Sequence, residues 1–163
     1  MTEVERLLTA SMVSFAVEDP TSRDATWCLE QYFSELNVRF PSGFDPGKSI
    51  YATATAFAPP SGLFLVARLR REPVGCGAIL HQDGARAYFK RMWLLPKVRG
   101  LGLGRRLLCE LEKSAKSAGA KIACLETHGT LVEAIALYRD SGYREVPAFN
   151  DEHYAHHWFE KRL

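Results

Sequence analysis

No stretch of the 163 residues approaches the roughly 20 consecutive apolar positions of a membrane-spanning helix, so such a helix is excluded. The opening segment, Met1 to Ser11, carries Glu3, Glu5 and Arg6 where a secretory leader has a basic start and then an apolar run. Cysteine is sparse: Cys28, Cys76, Cys109 and Cys124 lie far apart, and no C-x-x-C pair suggests zinc or a redox dithiol. All four read as buried thiols in a reducing compartment. An excess of either charge is also missing, since 21 basic residues are interspersed with 19 acidic ones for a net charge of +2. That balance argues against a nucleic-acid partner and requires any anion site to be local. Neither repeats nor low-complexity segments are visible. With 47% apolar residues the chain can bury one substantial core, so residues 1–163 are expected to form a single domain in the cytoplasm, without a membrane or nucleic-acid partner.

Within that frame the hydrophobic period changes along the chain. Residues 1–10 read as a flexible tail, and 12–17 as a first strand ended by Asp19-Pro20-Thr21. Ala25, Leu29, Tyr32, Phe33, Leu36 and Phe40 recur at helical spacing, which predicts a helix over 22–39 that stops before Pro41. The proline- and glycine-rich residues 41–61, with a short helix over 49–57, read as a surface excursion and a candidate lid. Strands follow over 63–69, 74–81 and 87–95, joined by short polar turns as in an antiparallel meander. Leu103, Leu107, Leu108, Leu111, Ala115 and Ala118 form a helical stripe that ends at Gly119. A strand over 121–126 precedes a second helix, whose Thr130 and Glu133 have capping-box spacing, and strands over 143–146 and 154–161 close the chain. The order predicts a mixed α/β sheet, mostly antiparallel, with a β-α-β crossover at its centre and helices on its flanks.

The densest signal is Arg99-Gly100-Leu101-Gly102-Leu103-Gly104, between a strand and a helix. Glycines there let successive N–H groups turn toward a ligand, and the helix N-terminus adds its unpaired donors, so backbone alone can hold a pyrophosphate. Arg105 and Arg106 add charge. A P-loop is excluded because no Lys-Ser or Lys-Thr follows. A dinucleotide fingerprint would need glycine where Arg105 stands, although Glu126 at the end of the next strand imitates its ribose-binding acid. Glycines present only for tight packing are the remaining reading.

Arg99-x-x-Gly102-x-Gly104 resembles the R/Q-x-x-G-x-G/A motif of the GNAT superfamily of N-acetyltransferases, and Lys90 to Pro96 is similar to its preceding strand. Ala134 to Tyr143 resembles the A-I-x-L-Y-x-x-x-G-F/Y segment of the same superfamily, and Glu152 to Glu160 is similar to the end of a group of its bacterial members. The resemblance covers residues 62–146 closely and the flanks in element order. It implies a GNAT-like fold and acetyl-CoA as co-substrate, with Met92, Trp93 and Leu94 facing the pantetheine arm and Arg99 to Arg105 binding the pyrophosphate. It further implies that Tyr138 protonates the departing thiolate, with direct attack by a primary amine of a small molecule or peptide. A noncatalytic acyl-CoA-binding or partner-binding module is the alternative, and the intact Tyr138 argues against it.

Two positions depart from the family pattern. Tyr88 stands where many relatives carry a glutamate base, which leaves Glu126 and His128 as local replacements, able to take a proton directly or through water. Leu131 stands where many carry an asparagine that contacts the cofactor. His153, His156 and His157 do not read as a metal site, because His156 and His157 would face opposite sides of a strand. Acceptor-site candidates are Glu35, Arg39, Phe40, Phe44, Tyr51 and Trp158. The identity of the acceptor and a homodimer both stay open.

Overall fold

The computed structural model describes residues 1–50 and 53–163. Its elements run α1 (Glu3–Ser11), β1 (Val13–Val17), α2 (Arg23–Arg39), β2 (Gly62–Leu69), β3 (Glu72–Gln82), β4 (Arg86–Leu94), α3 (Leu103–Ser117), β5 (Ile122–Thr127), α4 (Val132–Asp140), β6 (Arg144–Val146) and β7 (His157–Arg162). Among the described residues the strands form one seven-stranded sheet in the order β1-β2-β3-β4-β5-β7-β6. Every pairing is antiparallel except β4 with β5. The mixed sheet with a central crossover is therefore as expected.

Alternation along the strands divides the core between the two sheet faces. Leu65, Ile79, Phe89 and Leu125 pack under the leucine stripe of α3 and beneath α4. Phe64, Val66, Ala78, Leu80, Tyr88 and Cys124 pack on the opposite face against Ala25, Cys28 and Leu29 of α2. Ser22 starts α2 by accepting a hydrogen bond from the Ala25 N–H.

Several expectations change in the folded chain. The opening residues are helical, because Thr2 and Glu5 form a reciprocal capping box that satisfies orphan donors at the start of α1. Arg106 then ties α1 and β1 to α3 through the carbonyls of Ala10 and Val13. No capping box starts α4: the Thr130 side chain turns to His128 Nδ1, and Leu131 occupies the N-cap without a side-chain bond. The segment after α2 holds two short 3₁₀ turns, Pro46–Lys48 and Ala54–Phe57, and Phe57 is fully buried in the core, so this part is not only a surface excursion. The remainder of the predicted helix at 51–52 lies outside the described residues. Cys109 is exposed, opposite the leucine stripe of α3, whereas the other three cysteines are buried.

Two details of β4 open a wedge in the sheet. Its pairing with β5 covers only Arg86 to Tyr88 opposite Ile122 to Cys124, after which the two strands part. On its other side, Cys76 pairs with Trp93 and Ala78 with Lys90, so Gly77 faces two residues, Arg91 and Met92. This is a β-bulge, and Arg91 takes the left-handed conformation at φ 57°. A bulge bends its strand and redirects the side chains beyond it.

Leu111, fully buried between α3 and the sheet beside Gly77, tests the packing. Leu111→Ala is expected to lower unfolding stability by about 2–5 kcal/mol, through lost transfer energy and the cavity left behind, read from urea titrations.

Candidate active site

Where β4 and β5 separate, two cavities open that share Tyr32, Leu36, Met92, Leu131, Ala134 and Tyr138. One, of about 390 Å³, runs along the end of β4 to the glycine loop and α3. The other, of about 110 Å³, lies between α2 and the ends of β5 and the 152–155 segment. Met92 and Tyr138 are thus at the seam of a continuous cleft.

The larger cavity gathers Met92, Trp93, Leu94, Arg99, Gly100, Gly102, Leu103, Gly104 and Arg105 from the sequence-predicted cofactor set. Leu101 is not in its wall and packs instead beside Val98 and Leu103. Gly100 and Gly102 both have positive φ, 79° and 77°, which side-chain-bearing residues rarely adopt. A Cβ on either would meet nothing within 4 Å, so these glycines serve the turn and not tight packing. No side chain caps the start of α3, whose first N–H groups and positive dipole end are left available to an anion. Loop, donors and cavity fit a pyrophosphate followed by an extended arm.

Charged side chains cross this cleft. The Arg99 guanidinium donates to the Leu94 carbonyl at 2.9 Å and pairs with Glu35 at 2.5 Å. Glu35 also accepts from Trp93 Nε1, and Arg39 links Glu35 to Glu133 and to the Thr130 carbonyl. Glu35 and Arg39, expected at the acceptor site, therefore belong to the glycine-loop side, because the face of α2 that carries them points toward β4's end. Arg106 does not reach the cleft at all, since its guanidinium is bound to the Ala10 and Val13 carbonyls.

The smaller cavity has Glu126 in its floor. Tyr88 and Cys124 are opposed in the sheet, so the next positions on the same face, Lys90 and Glu126, confront each other across the parting strands. The Tyr88 hydroxyl donates to Glu126 Oε1, and Lys90 Nζ lies 3.5 Å from the same atom. Among the described residues, Glu126 Oε2 is buried with no hydrogen-bond partner. Burial raises the Glu126 pKa above the ordinary glutamate value, with Lys90 and the Tyr88 hydrogen bond opposing part of that shift. Glu152, whose part in this cluster has no sign in the sequence, accepts from Lys90 Nζ at 3.0 Å and from the Ile50 N–H at 2.9 Å. Glu126 is not beside the glycine loop, so it cannot serve as a ribose-binding acid there.

Tyr138 serves both the core and the cleft. Its ring packs against Tyr143 and Phe159 in the core, yet its hydroxyl lies at the seam, 3.9 Å from Met92 Sδ, a weak acceptor. Burial pushes the phenol pKa above its usual value, with the Glu126 charge adding to the shift, so the proton stays on at neutral pH. His128 also lines the smaller cavity, stacked on Phe40 with ring centroids 4.0 Å apart. Burial, then the neighbouring His156, hold its imidazole below the ordinary value. Phe40 and Phe44 line this cavity as expected; Trp158 does not, and donates instead to Asn150 Oδ1 at 2.9 Å. Tyr51 lies outside the described residues. His156 accepts from the Gly129 N–H and His157 pairs with Glu145, so the closing histidines diverge. Lys90, Tyr154 and Glu152 were missed: a lone Lys or Glu carries no periodic signal, and only the sheet register brings them together.

The mixed sheet agrees with the known proteins this chain is similar to. The model of the acetyltransferase (GNAT) family matches residues 29–143, and the chain belongs to that family and is an acyltransferase. It is 43% identical over 139 residues to an IAA acetyltransferase of Azospirillum brasilense, covering 84% of this chain and 88% of that one. A solved structure from Klebsiella pneumoniae, described as an acyl-CoA N-acyltransferase, is similar at 26% identity and a TM-score of 0.76, over 94% of this chain and 99% of the other. A Bacillus anthracis protein described as a streptothricin acetyltransferase, solved with acetyl coenzyme A, is similar in fold at 21% identity and a TM-score of 0.57, over 64% of each chain.

The tyrosine at the position of the absent glutamate gives a direct test of the Glu126 environment. Replacing Tyr88 with Phe removes a donor that favours the charged carboxylate, so the Glu126 pKa is expected to move further upward. Carboxyl chemical-shift titration by NMR measures it, and a midpoint at or below that of the unmodified protein contradicts the assignment.

Proposed function

We propose that the protein transfers the acetyl group of acetyl-CoA to a primary amine by direct attack, with Glu126 as base and Tyr138 as acid. The observation that carries this reading is the seam: Met92 and Tyr138 border both cavities, one reaching the glycine loop and the other floored by a buried carboxylate oxygen without a partner. A thioester carbonyl at the seam meets an amine from the smaller cavity. As the amine nitrogen bonds to the carbonyl carbon, Glu126 takes the ammonium proton; collapse of the tetrahedral oxyanion breaks the C–S bond, and the phenol proton passes to the thiolate.

The cofactor side divides its work between backbone and charge. N–H groups of residues 100–105 hold the pyrophosphate, with Arg105 exposed beside them. Trp93 and Leu94 pair with β3 on one side, Met92 lies in the bulge, and all three line the cleft, where the pantetheine amides add as a short strand would. Leu94 contributes its N–H side, since its carbonyl already accepts from Arg99. The raised pKa of Glu126 suits it to its role, because a base is most useful when its pKa approaches the working pH. The similarity to the acetyltransferase of Azospirillum supports acetyl transfer.

Three measurements test the reading. Calorimetry with acetyl-CoA is expected to show binding, and none would sink the proposal. Tyr138→Phe should keep that affinity and reduce kcat by about 10²–10⁴-fold, the usual contribution of one proton-transfer group. For Glu126 the sign follows from its raised pKa: activity grows as pH climbs through the carboxyl titration and the base loses its proton. Glu126→Gln should cut the rate by about 10²–10⁴-fold and remove that rising limb, whereas an unaltered profile would point to His128 or water.

A further inference from the structure

The smaller cavity has two chemically different ends. Its floor holds Glu126, Glu152 and Lys90, and both carboxylates lie within ion-pair distance of the same Lys90 ammonium. Its mouth is built of rings. Phe33 lies on α2, and Phe40, seven residues on, is the residue that caps its C-terminus. Gly43, at φ 76°, then reverses the chain so that the Phe44 N–H bonds to Asn37 Oδ1 at 2.9 Å and the ring returns over α2. From the other wall Tyr154 reaches across, its hydroxyl accepting from the Asp45 N–H at 2.8 Å. The Phe44 ring lies 4.7 Å from Tyr154, 5.5 Å from Phe33 and 5.8 Å from Phe40.

We propose that the acceptor is a primary amine carried on an uncharged aromatic body, with its ring among Phe33, Phe40, Phe44 and Tyr154 and its nitrogen toward Glu126 Oε2. This names the substrate class within the acetyl-transfer reading and rests on it. Rings offer an aromatic body burial and stacking, and offer a second cation only contact with a ring face, without a carboxylate. Among the described residues lining the cavity, the carboxylates are confined to the floor, so a polyamine or lysine would place its distal cation against aromatic faces with no carboxylate. A body carrying a carboxylate meets a floor whose ammonium is engaged by Glu126 and Glu152, and whose Arg91 guanidinium lies over the Phe33 and Phe57 rings at 5.3 and 4.7 Å. Among the described residues Glu126 Oε2 has no donor, and an N–H of the neutral acceptor amine supplies one.

The test is steady-state release of free coenzyme A thiol with 2-phenylethylamine and tyramine, compared with spermidine, lysine and phenylalanine, alongside calorimetry with acetyl-CoA. The aromatic amines are expected to exceed spermidine and lysine in kcat/KM by about ten- to a hundredfold, the factor for burying a phenyl ring, and phenylalanine by about tenfold, because burying its carboxylate carries a cost the neutral body does not. Phe44→Ala should raise the KM for 2-phenylethylamine about tenfold while leaving acetyl-CoA affinity unchanged, and Phe44→Tyr, which keeps a ring, should restore it. Preference for spermidine, lysine or phenylalanine overturns the aromatic body and leaves acetyl transfer standing. So does binding of acetyl-CoA with turnover of none of the aromatic amines, or failure of Phe44→Tyr to restore KM. Loss of acetyl-CoA binding in the unmodified protein instead strikes the proposed function itself.

Discussion

Past Tyr88 the parallel strands β4 and β5 stop exchanging hydrogen bonds, and nearly everything distinctive in this molecule occupies the wedge they leave. Backbone groups in the middle of a sheet are normally consumed by both neighbours, and burying them unpaired is costly. A parting of central strands is therefore stable only where something else meets those groups. Here the bulge at Arg91 and Met92 bends β4 away, α2 and α4 cover the two sides of the opening, and Met92 and Tyr138 narrow its middle. The same wedge separates a glycine loop, suited to an anion, from an aromatic chamber with a carboxylate floor.

Burial organises the charges in that wedge. Bringing a carboxylate out of water costs several kcal/mol even after relaxation, and Glu126 keeps only partial compensation from Tyr88 and Lys90. The residual imbalance appears as a raised proton affinity and an oxygen without a partner. Glu152 matters to this balance because it shares the Lys90 ammonium with Glu126. On the other side of the seam, Arg99, Glu35, Arg39 and Glu133 alternate in sign across the cleft, joining the glycine loop, α2 and the start of α4. That chain ties three elements together without placing an unpaired charge beside the loop.

Much of the fold was legible because its signals are local. The helical stripe of α3, the short apolar runs of β2 to β4 and the glycines of the loop are each contained within one element or turn. Tyr138 was readable from the segment around it, although its ring and hydroxyl turned out to serve core and cleft together. Misreadings arose where one local pattern competed with another. Thr130 has capping-box spacing, but His128 two residues earlier offers its hydroxyl a nearer partner. Residues 1–10 read as a tail, and Val4, Leu7 and Leu8 are indeed exposed, yet the capping box suffices to start a helix that Arg106 anchors.

By itself the sequence determined the element order from β1 onward, the mixed sheet and the glycine turn, since periodicity, capping and positive-φ glycines act over a few residues. Tertiary structure alone decided the neighbours of Glu126. Tyr88 lies 38 positions from it, and Lys90 meets Glu152 across 62. Likewise Arg39 joins Glu133 across 94 positions, which sends a residue expected at the acceptor site to the opposite side of the seam. Such pairs depend on strand register and on which face of α2 meets β4, and register is set only when whole elements bury their apolar sides together.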